Sequence, residues 1–104
     1  MTTFDDRENA FENKYAHDQE MQFRAEARRN KLMGLWVADI LGKSGEDAEA
    51  YAKEVVKADF EEAGHEDVMR KVMGDLGDRV GEAEVRRKYD ELLAVAKGQL
   101  LAEN

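Results

Sequence analysis

The stretch Ser44-Gly45-Glu46-Asp47-Ala48-Glu49-Ala50-Tyr51-Ala52-Lys53-Glu54-Val55-Val56-Lys57-Ala58-Asp59-Phe60-Glu61-Glu62-Ala63-Gly64 decides the fold. Ser44 stands three residues ahead of Asp47, the capping-box spacing that opens a helix. Behind it Ala48, Tyr51, Ala52, Val55, Val56, Phe60 and Ala63 recur at three- and four-residue steps, which is one face of a helix. Gly64 ends the run, as glycine commonly does just past a helix.

The same punctuation recurs on both sides. Downstream, Val68, Met69, Val72, Met73 and Leu76 mark a helix closed by Gly74 and Gly77. A last helix opens near Gly81 or Glu82 and buries Val85, Tyr89, Leu92, Leu93, Ala96 and Leu100. Upstream, Asp18 is placed to cap a helix with the stripe Met21, Ala25, Leu32, Trp36 and Ile40, widened by Met33, Leu35, Val37 and Leu41 and stopped by Gly42. Its polar first half, with Arg24, Glu26, Arg28 and Arg29, is expected to project past the core, and its apolar second half to form the centre of the fold. Acid-first pairs at i, i+4 support these helices: Glu20–Arg24, Glu49–Lys53, Glu66–Arg70, Asp67–Lys71 and Glu84–Lys88. Nothing reads as a strand. An all-α, antiparallel bundle follows from helices joined by short turns.

Composition agrees. The chain has 104 residues, 42% of them hydrophobic and 38% charged, enough for one domain of amphipathic helices around a modest core. It has no proline, which in a helix interior costs about 3 kcal/mol. It has no cysteine, so disulfides and thiolate-held metals are excluded. The start Met1-Thr2-Thr3-Phe4-Asp5-Asp6-Arg7 lacks the basic and apolar regions of a signal peptide. The longest apolar stretch, Leu32 to Leu41, is about half a membrane span and contains Gly34 and Asp39, so no membrane insertion is expected. A net charge of −8 speaks against nucleic acid and anionic lipid and leaves a protein or a cation as partner.

No catalytic or cofactor motif stands out. His17 and His65 lie far apart without metal-ligand spacing, and His65, in a helix-to-helix turn after Gly64, reads as structural or solvated. Asp5-Asp6 and Glu61-Glu62 read as solvated helix faces rather than acid–base pairs. The glycines occur singly, and Gly42-Lys43-Ser44 lacks the upstream glycine of a phosphate loop. Met33, Met69, Met73 and Trp36 fall on core stripes. The reading is a non-enzyme with no cofactor and no metal.

The segment before Asp18 differs from the rest. Phe4, Phe11 and Tyr15 keep rough helical phase, but they are too few to bury much surface. Thr3 and Asp6 have capping-box spacing, whereas Glu8 and Glu12 repel each other at i, i+4 and Asn9 and Asn13 are poor helix formers. Asp5, Asp6, Arg7, Glu8, Glu12 and Lys14 surround the aromatics and could make charged contacts. Such a segment suits folding on binding, with the aromatics as anchors. It suits equally a frayed extension folded back on the bundle.

Thr3-Phe4-Asp5-Asp6-Arg7-Glu8 and Ala10-Phe11-Glu12-Asn13-Lys14-Tyr15-Ala16-His17-Asp18 resemble the start of the zeta subunit, the alphaproteobacterial ATP synthase inhibitor. The likeness continues in Phe23-Arg24-Ala25-Glu26-Ala27-Arg28-Arg29-Asn30-Lys31-Leu32, in Gly34-Leu35-Trp36, and from Tyr51 to Gly64. The resemblance implies a four-helix bundle domain, residues 18–104, with a mobile, partly helical N-terminal inhibitory arm, residues 1–17. It implies that the arm enters an alpha/beta catalytic interface of the F1-ATPase head, near the central rotor subunit, and blocks hydrolytic rotation. Phe4, Asp5, Asp6, Arg7, Glu8, Phe11, Lys14 and Tyr15 are then the partner-binding residues. The implied place is cytoplasmic, peripheral to the inner membrane when bound. Two alternatives stay open: an acidic helical adaptor for another protein, and a small-ligand or nucleotide-sensing bundle with a pocket beside Trp36.

Overall fold

In the computed structural model the described residues are 3–16, 18–59 and 66–103, with the backbone alone described for 3–7. They form five helices, with no strand among them: α1 (Thr3–Tyr15), α2 (Gln19–Ile40), α3 (Gly45–Ala58), α4 (Glu66–Leu76) and α5 (Glu82–Glu103). His17 and the run 60–65, which holds Phe60, Ala63, Gly64 and His65 of the sequence reading, lie outside the described residues.

The helix ends follow local chemistry. Asp18 caps α2 by accepting from the Met21 amide at 3.2 Å, so one unpaired donor of the first turn is satisfied. At the other end Gly42 takes φ +81, Lys43 N–H reaches Ala38 C=O at 2.8 Å, and Gly42 N–H reaches Asp39 C=O at 3.1 Å. That double bond pattern is the Schellman stop, and its left-handed residue favours glycine. Ser44 has the extended backbone of an N-cap, but its side chain makes no cap hydrogen bond, so the expected capping box is not completed. Gly74 lies inside α4, and Gly77 with φ +59 ends that helix.

The main core draws on four helices. Met33, Val37 and Ala38 of α2 meet Tyr51 and Val55 of α3, Val68, Met69, Val72 and Leu76 of α4, and Val85, Tyr89 and Leu92 of α5. Leu32, Trp36, Ile40 and Met73 are partly buried at its edge. α2 is central, because it touches α3, α4 and α5. It packs closely against α3 at Gly34, where an added Cβ would lie 2.6 Å from the Ala52 Cα. α2 and α5 run antiparallel: Arg28 pairs with Glu103, while Trp36 lies below the Lys88 ammonium at 5.9 Å.

The first half of α2 does not project past the core. Met21 and Ala25 are buried, and Arg29 is 2% exposed. The Arg29 guanidinium lies 3.8 Å from the Tyr89 ring centroid, and its Nε donates to Asn30 Oδ1 at 3.2 Å. An arginine's long stem and flat head pack on an aromatic face, so a polar letter in the sequence becomes an interior residue. The expected i, i+4 pairs are also rearranged. Arg70 pairs with Asp67 at 2.9 Å rather than Glu66, and Lys71 pairs with Asp75 at 3.2 Å rather than Asp67.

Candidate functional site

The candidate residues lie on α1, which packs against the body of the fold outside the main core. Phe11 is fully buried in a second, separate cluster with Met21 and Ala25 of α2 and Leu100 of α5, flanked by Tyr15, Leu93 and Leu101. The expectation that this segment has too little apolar surface to join the fold is therefore corrected. A single phenylalanine suffices, because α5 runs beyond the main core and offers Leu93, Leu100 and Leu101 as a groove. Phe11 and Tyr15, one turn apart, put their ring centroids 5.0 Å apart at a tilt of 55°, a favourable aromatic arrangement.

The charges around Phe11 are arranged by Lys97. This residue lies within the apolar stripe of α5 and is 4% exposed. Its Nζ donates to Glu8 Oε1 at 3.3 Å and to Glu12 Oε1, and it lies 5.5 Å from the Phe11 ring centroid. The two glutamates that would repel each other along an isolated helix thus share one cation. Lys14 is exposed, with its Nζ 5.4 Å from the Tyr15 ring centroid. Phe4, Asp5, Asp6 and Arg7 lie on the backbone of α1, and their side chains lie outside the described residues. Of the predicted partner-binding set, the structure brings Glu8, Phe11 and Tyr15 against α5 and leaves Lys14 at the surface.

Sequence reading missed Lys97. The signal was there: a cation between Leu93 and Leu100 at helical spacing, facing a segment with acids at i and i+4. Arg28 provides a second tie near the same end. Its guanidinium grips Glu103 with two contacts, one of them Nη2 to Oε1 at 2.9 Å, and also donates to Gln99 at 3.4 Å. The hydrogen bond from Arg28 holds the Glu103 carboxyl below its ordinary range.

The rest of the surface offers less. Beside Trp36 there is a depression of about 140 Å³ lined by Glu84, Arg87, Lys88 and Glu91. Small-ligand sites usually enclose about 300–1,000 Å³, so the ligand-sensing alternative finds little room there. A wider cleft of about 430 Å³ between α3 and α4 mixes Glu54 and Asp67 with Lys57, Arg70 and Lys71. Among the described residues no cluster of three or more His, Cys, Asp or Glu is placed to hold a metal. No described helix is long and apolar enough to cross a membrane.

Comparison with known proteins agrees with the resemblance. The family described as ATPase inhibitor subunit zeta matches residues 1–99, a span that includes both α1 and Lys97. A protein solved by solution NMR is 75% identical to this chain, with a TM-score of 0.76 and a match covering 81% of this chain and 99% of that one. No match was found among curated proteins. With the family match spanning nearly its whole length, the chain belongs to the ATPase inhibitor subunit zeta family.

Proposed function

We propose that this chain inhibits ATP hydrolysis by the F1 head of a bacterial ATP synthase, and that its N-terminal arm, residues 1–17, is the inhibitory element. The arm enters an alpha/beta catalytic interface beside the central rotor subunit and blocks rotation in the hydrolytic direction. Residues 18–104 form the bundle domain that carries it. Phe4, Phe11 and Tyr15 anchor the arm by burial, and Asp5, Asp6, Arg7, Glu8 and Lys14 make its charged contacts. Rotation in the synthetic direction expels the arm, so inhibition is one-way. The protein acts in the cytoplasm, peripheral to the inner membrane when bound.

The observation that carries this reading is the separation of the two apolar clusters. α1 rests on the body through Phe11, its few apolar neighbours and the Lys97 contacts, while the main core closes without it. Undocking α1 exposes one small cluster and leaves the core shared by α2–α5 intact. Burying a phenylalanine is worth about 1.5–3 kcal/mol, which a cleft in another protein can match. The arm can therefore trade one apolar surface for another at little net cost.

The test is ATP hydrolysis by F1 freed of its own inhibitor, titrated with the full chain and with a chain beginning at Asp18. Inhibition by the full chain alone is expected. Equal inhibition by both would remove the arm from the mechanism, and inhibition by neither folded protein would end the proposal.

A further inference from the structure

We infer that Lys97 is a latch that sets how much of the arm is available to the ATPase, an inference that rests on the function proposed above. Lysines in an apolar stripe ordinarily extend their ammonium to water. Lys97 instead is 4% exposed, because α1 lies over it. Its Nζ is held by Glu8 at 3.3 Å and by Glu12, with the Phe11 ring centroid 5.5 Å away. Every one of those contacts belongs to α1, so the ammonium keeps this surrounding only while the arm is docked.

Two consequences follow from the charges. In a free arm Glu8 and Glu12 sit one turn apart and oppose helix formation. In the docked arm they flank a single cation, so the same pair favours both docking and helicity. Glu8 and Phe11 are also assigned to the ATPase contact, and neither can occupy both places at once. The body groove and the ATPase cleft thus compete for the same side chains. Affinity for the ATPase is reduced by the fraction of arms that are open.

Lys97→Met tests this, since methionine keeps the stem's packing and removes the charge, and Lys97 is not among the residues assigned to the ATPase. Two readouts are compared on the full chain: amide hydrogen exchange of α1 in the free protein, and the concentration needed to inhibit F1 freed of its own inhibitor. Protection of the α1 amides should fall about tenfold, the scale of losing a charge-assisted hydrogen bond, with the amides of α3 and α4 unchanged. The inhibitory concentration should fall by a similar factor. Lys97→Arg, which keeps the charge, should stay near the parent in both. Should Lys97→Met disturb the fold by circular dichroism, Lys97→Gln removes the same charge from outside the arm and should shift both readouts the same way.

Unchanged α1 protection in the folded variant overturns the latch whatever the inhibition does. Lost protection with unchanged inhibition overturns the competition between groove and ATPase. The chain beginning at Asp18, run alongside, separates these failures from failure of the proposed function: if it inhibits as well as the full chain, the arm is not the inhibitor.

Discussion

Replacing Gly34 by alanine sets two effects of similar size against each other. In the interior of a helix, alanine is favoured over glycine by about 1 kcal/mol, so on a free face the change would stabilise α2. At Gly34 the new Cβ would stand 2.6 Å from the Ala52 Cα, 3.1 Å from its Cβ and 3.3 Å from the Val55 Cβ. The nearest atom is backbone, so no side chain can rotate away, and α2 and α3 must separate. Overpacking of that kind costs about 1–3 kcal/mol, and here it also loosens Met33, Val37 and Val55 in the main core. Because the obstacle is backbone, the overpacking cost lies toward the upper end of that range, about 3 kcal/mol, and Gly34→Ala should destabilise by roughly 2 kcal/mol once the propensity gain of about 1 kcal/mol is subtracted. Gly74 is the internal control: it lies within α4, and a Cβ there meets nothing within 4 Å. Gly74→Ala should stabilise by roughly 0.5–1 kcal/mol. Urea unfolding followed by far-UV circular dichroism measures both. A Gly34→Ala protein as stable as the parent would refute the close-approach argument. Ala52→Gly in the same chain should not restore stability, because the 2.6 Å contact is to Cα.

Phe11→Ala should abolish α1 protection in hydrogen exchange yet move the urea transition of the body by no more than about 1 kcal/mol, because the arm undocks instead of leaving a cavity. A loss of the full 3–5 kcal/mol typical of a core phenylalanine would show that arm and body unfold as one unit. The same variant should inhibit F1 weakly, in contrast to Lys97→Met. At alkaline pH the body should weaken. Burial pushes the Tyr89 phenol up to about 12 from its ordinary 10.0, and burial with the hydrogen bond to Asp75 pushes Tyr51 up as well. Groups with raised values stabilise fully below their unfolded value and lose that contribution as pH rises through the folded one. For Tyr89 the loss should fall between about pH 10 and pH 12, and Tyr89→Phe should flatten the midpoint there; an unchanged slope would remove Tyr89 from the account.

How far the sequence could be read depended on whether an element's cause was local. The helix α2 was legible because Asp18 and Gly42 act on their own neighbours, and the stripe of α3 because its residues repeat along one helix. The aromatic spacing of Phe11 and Tyr15 was equally legible, and so was the family likeness of the arm. What covers those aromatics was not, because much of the cover comes from α5, with Leu100 and Leu101 eighty-five or more positions away. Arg29 was misread for the same reason: its burial depends on Tyr89, and composition sees only a charge.

The sequence by itself therefore determined that the chain is helical, where most helices start and stop, and that the first segment has an anchoring face with two opposed acids. Propensity, capping and periodicity act within a few residues and leave their mark in one dimension. Only the tertiary structure decided that the segment lies on α5, that Lys97 is the cation between Glu8 and Glu12, and that Gly34 is the point where two helices touch. Those facts depend on which surfaces meet. A charge becomes a latch, and a missing Cβ becomes a contact, only when a distant helix is brought against it.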